Sequence, residues 1–155
     1  MTSAGLILYR IKDGGLEVFL VHPGGPLWAT RDIGAWSIPK GLVEESDSDI
    51  RGAAIREFHE ETGFELPTSN LISLGEITQK SGKIVHAWAI QDTIGVDPKL
   101  MTSNLIEIEY PRHSNTLITI PEVDRGTFFS MAMAEVKINP AQAPLLHRLS
   151  AELNT

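Results

Sequence analysis

The chain has 155 residues, 42 % of them apolar, a net charge of −7 and no cysteine. That length suits one domain, expected over residues 1–155, with room for a sizeable core, and the lack of cysteine excludes a disulfide framework or a thiolate metal site. An acidic balance without any Lys/Arg run argues against a surface for long nucleic acid, and no apolar run approaches the ~18–20 residues of a membrane span.

In chain order, Ala4–Ile11 and Leu16–Val21 read as strands around the turn signal Asp13-Gly14-Gly15. His22–Ala35 carries Pro23, Gly24, Gly25, Pro26 and Gly34 and reads as a surface loop. Trp36–Pro39 is expected as a short strand. Ser48 or Asp49 caps a helix to about Thr62, and Gly63 suits its left-handed exit. Ile50, Ala54, Ile55 and Phe58 give that helix an apolar stripe. Gly52 inside it costs about 1 kcal/mol relative to Ala, with no reason visible in the sequence. Leu71–Gln79 and Lys83–Gln91 read as a second strand pair around Lys80-Ser81-Gly82. Asn104–Tyr110 and Thr116–Ile120 form a third, and Asp124–Phe129 adds a short strand. Ser130 caps a short helix to about Lys137, and a last helix runs from Pro140 to about Leu153. Hairpins with few helices argue for an α+β fold with a mixed sheet.

Chemistry concentrates in Arg56-Glu57-Phe58-His59-Glu60-Glu61-Thr62-Gly63-Phe64. Glu57, Glu60 and Glu61 are three and four residues apart where a helix is expected, so their carboxylates share one face. Like charges so close disfavour one another's ionisation. A hard divalent cation, Mg²⁺ or Mn²⁺, removes the conflict. A solvated acidic face is the plainer reading of the run alone. His22, His59, His86, His113 and His147 show no zinc spacing.

The residues around the run decide between the two. Gly41, Arg56, Glu57, Phe58, Glu60, Glu61, Gly63 and Phe64 resemble the Nudix box, G-x5-E-x7-R-E-U-x-E-E-x-G-U with U apolar, the signature of a family of pyrophosphohydrolases. Fourteen residues separate Gly41 from Arg56 where the pattern has thirteen. The box's early Glu therefore falls on Asp47 or Ser48, which puts the loop geometry in question but not the helix acids. Val21–Pro26, Gly34–Gly41, Gln79–Lys83 and Pro121–Arg125 further resemble a bacterial Nudix subgroup of predicted nucleotide pyrophosphohydrolases.

The resemblance implies a Nudix-type α/β/α sandwich in which the box forms a loop-helix-loop packed on a mixed sheet. It implies metal ligation by Glu57, Glu60, Glu61 and the Gly41 carbonyl, with Arg56 orienting a carboxylate. Glu122 is the candidate general base outside the box; its alternative is a loop acid that caps or pairs with Arg125. Lys40, in a Pro-Lys-Gly entry similar to that of Nudix enzymes acting on polyphosphates, is a candidate phosphate contact, or else pairs with Glu44 or Glu45. Lys80, Lys83 and His86 are lesser candidates on the second hairpin. Trp28, Trp36, Trp88 and Tyr110 are candidates for base stacking, though packing is the first expectation for each tryptophan.

The expected activity is metal-dependent cleavage of a phosphoanhydride in a nucleoside diphosphate-linked substrate, a dinucleoside polyphosphate or nucleoside triphosphate. The expected setting is the cytoplasm, as monomer or homodimer, with no membrane and no long nucleic acid as partner. Two alternatives differ in class. One is a Nudix-fold nucleotide-sensing module without turnover, disfavoured because all three helix acids are intact. The other is an acidic interaction domain in which the box is coincidence.

Overall fold

The computed structural model describes residues 1–154. Strands β1 (Thr2–Lys12) and β2 (Gly15–Pro23) form the first hairpin, and β3 (Lys40–Leu42) returns along β1. Helix α1 (Ile50–Thr62) follows, then the hairpin β4 (Ile72–Thr78) and β5 (Ile84–Gln91). A second, two-stranded sheet holds β6 (Leu105–Glu109) and β7 (Leu117–Pro121). Strand β8 (Val123–Ser130) rejoins the main sheet, and α2 (Met131–Lys137) and α3 (Ala143–Leu153) end the fold. The main sheet runs β4-β5-β1-β2-β8 with β3 beside β1. Only the β1–β5 pair is parallel among its registers, so the sheet is mixed.

Strand alternation assigns the two faces. Leu6 and Leu8 of β1 join Phe19 and Val21 of β2 beneath Phe58 of α1. Ile7, Tyr9, Val18 and Leu20 point the other way, onto Ala134 of α2 and Leu145, Leu146 and Leu149 of α3. Helices on both faces make the α/β/α sandwich. Phe19 anchors the α1 side, its ring 6.4 Å from Phe58 and 5.4 Å from Phe128. Burying a side chain of this size contributes roughly 1.5–3 kcal/mol, so each face holds its helices largely by apolar burial.

Two expectations are corrected. Trp36–Pro39 makes only isolated bridges, Val21 to Ser37 and Trp36 to Ile138, and the strand lies one step later at Lys40–Leu42. Pro39 has no N–H for a ladder; its carbonyl instead accepts from Leu6 N at 3.1 Å. The last helix does not run unbroken from Pro140. Pro140–Gln142 is a 3₁₀ turn capped by Asn139, and α3 starts at Ala143. Pro144 explains the break, because its ring clashes with a carbonyl four residues back and it donates no hydrogen bond.

Candidate active site

Helix α1 is set by its ends. The Asp49 side chain accepts from Gly52 N at 2.7 Å, and Gly63 leaves the helix at φ 77°. Gly52 now has a reason: a Cβ there would stand 3.0 Å from Ser48 Oγ and 3.1 Å from Asp49 Oδ1, crowding the cap. With these ends fixed, Ala53, Ala54 and Phe58 go into the sandwich. The neighbouring stripe turns Glu57 and Glu61 inward, only 7 % and 5 % exposed, while Glu60 stays in solvent.

Gly41 lies directly over this stripe. It pairs with Ala4 in the β3–β1 ladder, and a Cβ on it would overlap the Glu57 carboxylate. Only glycine permits that approach. Lys40 N donates to Glu61 Oε1 at 3.3 Å. Arg56 organises the rest, donating to Glu57 Oε1 at 2.9 Å and to both Glu60 oxygens at 3.2 Å. Its Nε and Nη2 grip Asp47 at 2.7 and 3.0 Å, and Nη2 also reaches the Leu42 carbonyl at 3.0 Å. Asp47 in turn accepts from Glu44 N at 2.8 Å, so it is the acid that braces the lengthened loop. These bonds, Asp47 first, push the Arg56 guanidinium further from deprotonation, and the Arg56 bonds hold the Asp47 carboxyl below its usual range.

The carboxylates and Lys40 converge on one open cavity of about 590 Å³. Glu57, Glu60, Glu61 and Gly41 make up its α1 wall, and Glu122, Val123, Pro23 and Trp28 line it as well. Lys40, Lys83, Gln79, Ser37, Asn139 and Gln142 complete the lining. Burial, then the charges of Glu122 and Glu57, push the Glu61 carboxyl up to about 9. Burial also raises Glu57, against the pull of Arg56. Lys40 is lowered by burial and by nearby Lys83. A stripe of buried acids whose charges oppose one another is a strained arrangement that a bound cation relieves.

Among the described residues no three His, Cys, Asp or Glu side chains converge into a ready-made metal cage. Arg56 is the reason, since it draws the Glu57 and Glu60 carboxylates to itself. The donor set still fits a hard cation: it is all oxygen, and the Gly41 backbone lies where any Cβ would collide with Glu57.

Other candidates sort by position. Glu122 accepts from Asn104 Nδ2 at 3.1 Å, while Arg125 pairs with Asp124 at 3.3 Å, so the Glu122–Arg125 pairing is not made. Lys40 makes no ion pair with Glu44 or Glu45 among the described residues, and Glu44 lies 3.7 Å from Arg56. Lys83 lines the cavity, whereas Lys80 lines an adjoining groove with Ser81 and Pro140 that shares Gln79 and Asn139 with it. His86 pairs with Glu76 at 3.1 Å, stacked on Trp88. Trp36 is core, its Nε1 donating to Asp32 at 2.8 Å and its ring 4.9 Å from Phe129. Trp88 packs under α1, and Tyr110 sits at the outer end of the β6–β7 hairpin. Gln142 had no signal in the sequence; buried at 1 % exposure, its Oε1 accepts from Ile38 N at 3.0 Å and its Nε2 donates to Ser37 Oγ at 3.0 Å. Asn104 was likewise invisible until it was seen holding Glu122.

A glycine-roofed strand, an Arg-organised acidic helix and a left-handed glycine exit, packed on a mixed sheet between helices, define a Nudix fold. The NUDIX domain family model matches residues 1–149. The chain belongs to the Nudix family and is a hydrolase of the class acting on phosphorus-containing anhydrides. Its fold is similar to a C. elegans Ap4A hydrolase in a binary complex, with TM-score 0.65, 22 % identity, and 99 % of this chain and 97 % of that one covered. It is also similar to the NUDIX domain of Shewanella oneidensis NrtR complexed with ADP ribose, with TM-score 0.64, 15 % identity and coverage of 99 % and 88 %. In sequence it is 27 % identical over 148 residues to the uncharacterized 17.7 kDa protein in the e-segB intergenic region of Enterobacteria phage T4, covering 95 % of this chain and 93 % of that one. No helix among the described residues is long and apolar enough to cross a membrane.

Proposed function

We propose that this chain is a divalent-metal-dependent pyrophosphohydrolase that cleaves a phosphoanhydride bond in a dinucleoside polyphosphate or a nucleoside triphosphate, in the cytoplasm. The observation that carries the reading is the burial of Glu57 and Glu61 beneath Gly41, a position where a Cβ would overlap the Glu57 carboxylate, in one cavity that Glu122 and Lys40 also line. A purely structural helix gains nothing from two buried acids whose charges are mutually unfavourable. The Ap4A hydrolase and the ADP-ribose-binding Nudix domain among the fold neighbours support a nucleotide diphosphate ligand.

Glu57, Glu60, Glu61 and the Gly41 carbonyl are the groups that would hold Mg²⁺ or Mn²⁺. When bound, such a cation neutralises phosphate oxygens and lowers the pKa of a coordinated water. The chain's own residues then have separable tasks. Arg56 keeps the Glu57 and Glu60 carboxylates oriented and is itself fixed by Asp47. Lys40 and Lys83 offer positive charge to phosphates beyond the scissile bond. Glu122, steered by Asn104, is the proposed general base, taking a proton from the attacking water. Lys80, turned to another groove, is at most an outer contact.

The test is a panel of dinucleoside polyphosphates, nucleoside triphosphates and nucleotide sugars, assayed with Mg²⁺ or Mn²⁺ and with products resolved by chromatography. Metal-dependent release of phosphate-containing products from the first two groups is expected. Saturable nucleotide binding without turnover would favour the sensing module instead.

A further inference from the structure

Among the described residues, Trp28 is the only aromatic side chain lining the cavity. It differs from Trp36 in burial and in the state of its indole N–H. Trp36 is 3 % exposed and its indole N–H is bonded, whereas Trp28 is half-buried and its indole N–H makes no hydrogen bond among the described residues. A tryptophan used for packing normally satisfies that donor.

The loop that carries Trp28 is pinned at several points. Gly24 N donates to the Glu122 carbonyl at 2.9 Å. Gly25, at φ 89°, is pressed so close to Ile120 that a Cβ would collide with it. Fully buried His22 donates from Nε2 to the Arg31 carbonyl at 2.7 Å and is held at Nδ1 by Asp124 at 2.9 Å. Asp32 accepts from Trp36 Nε1 and pairs with Lys137. The Arg31 guanidinium lies 5.3 Å from the Trp28 ring centroid. The indole therefore stands on a loop held at both ends and lines the same cavity as Glu122 and the α1 acids.

We propose that Trp28 is the nucleobase platform of this site. The base stacks on its indole, with the phosphates directed toward the acidic wall, and the His22–Arg31 contact acts as the positioning element that holds the platform. The proposal rests on the phosphoanhydride reading of the acidic wall. A flat π surface beside a charged polyphosphate site selects for a planar aromatic group, and base–aromatic stacking tolerates any base. It follows that substrates carrying a base are preferred over equally charged ones without it.

Two binding measurements on the full chain test this without relying on turnover. Adenosine, which has no phosphate, should quench the tryptophan fluorescence of the wild-type chain saturably; the quench should disappear in Trp28→Phe, with the circular dichroism unchanged. With excess Mg²⁺, Trp28→Ala should weaken ATP about 10- to 100-fold in Kd by calorimetry, as expected for loss of one stacked base. Inorganic tripolyphosphate should change less than about twofold, and Trp28→Phe should restore most of the ATP affinity. Quenching that persists in Trp28→Phe, no quenching in the wild type, or equal weakening of both ligands overturns the proposal. A chain that cleaves the phosphoanhydride of no substrate in the panel fails the hydrolase reading, but the adenosine titration still decides the platform.

Discussion

The wall of the cavity built on α1 comes from one continuous stretch, residues 41–63, and owes its geometry to local contacts. Asp49 caps the helix, Gly63 ends it, and Arg56 ties Asp47, Glu57 and Glu60 together within a few turns of chain. A second part of the lining is assembled from segments far apart in sequence. The loop carrying Trp28 is tied at His22, Gly24 and Gly25 to residues 120–124, Glu122 is held by Asn104, and Ser37 by Gln142, 105 residues away. The first wall is charged, and its acids work against one another; the second is largely uncharged apart from Glu122 and carries aromatic and amide groups. The comparison teaches that chemistry common to a reaction class can be carried by a short motif. Ligand recognition depends instead on tertiary contacts that leave no short signature.

Breaking the first wall has the largest expected effect. Glu61→Gln keeps side-chain shape but removes a negative ligand, so kcat should fall on the order of 100-fold or more, the loss of several kcal/mol of charge stabilisation. Glu57→Gln should behave alike. Arg51→Ala, on the same helix but bonded only to the Thr68 carbonyl, should leave kcat within about twofold. Steady-state kinetics on the three variants checks this; equal rates for all would remove α1 from the chemistry.

Next in size is the brace. Asp47→Asn weakens the fork that fixes Arg56, and outer contacts of this type are worth about 10- to 100-fold in activity. The loss should appear in kcat and in the Mg²⁺ concentration needed for half-maximal rate. A normal metal requirement would mean that Asp47 serves stability alone.

Protons and cations should compete at Glu61. Its carboxyl is raised from 4.5 to about 9 in the fold, so the native state favours the protonated form. Stability from this source is fully present below about 4.5 and is lost as pH rises toward 9. In chelator, Tm should therefore decline across that window, and the increase in Tm produced by Mg²⁺ should be larger at pH 8 than at pH 6. Differential scanning calorimetry at the two pH values measures it; a metal increment independent of pH would contradict the assigned ligand.

The smallest effect belongs to Lys40, between the two walls. Lys40→Ala should weaken kcat/KM about 10-fold on longer polyphosphates and less on diphosphate-linked substrates, because only the former present charge beyond the scissile bond. A chain-length series in steady-state kinetics reads this directly, and equal losses on every substrate would assign Lys40 to loop shape.

Much of the fold was legible because its signals are local. The α1 boundaries, the three hairpins and the helix beginning after Ser130 follow from capping residues, turn residues and alternation. The short strand after the long loop was misplaced because Trp36–Pro39 has strand composition, while Pro39 cannot complete a ladder and Gly41, poor in strand propensity, nevertheless pairs with Ala4 at a position where Glu57 leaves room for nothing larger. Acids in the box were legible by spacing. Their burial, the choice of Asp47 as brace and the separation of Lys80 from Lys83 were not, because each depends on how the loop and the second hairpin fold back onto the sheet.

The most direct test of the central claim is product analysis of diadenosine tetraphosphate and ATP incubated with the wild-type chain, the same chain in excess chelator, and Glu61→Gln. Nucleotide and phosphate products should form rapidly in the first, cease in the second with recovery on adding Mg²⁺, and fall about 100-fold or more in the third. Undiminished product formation in chelator, or in Glu61→Gln, would contradict hydrolysis through the buried carboxylates of α1.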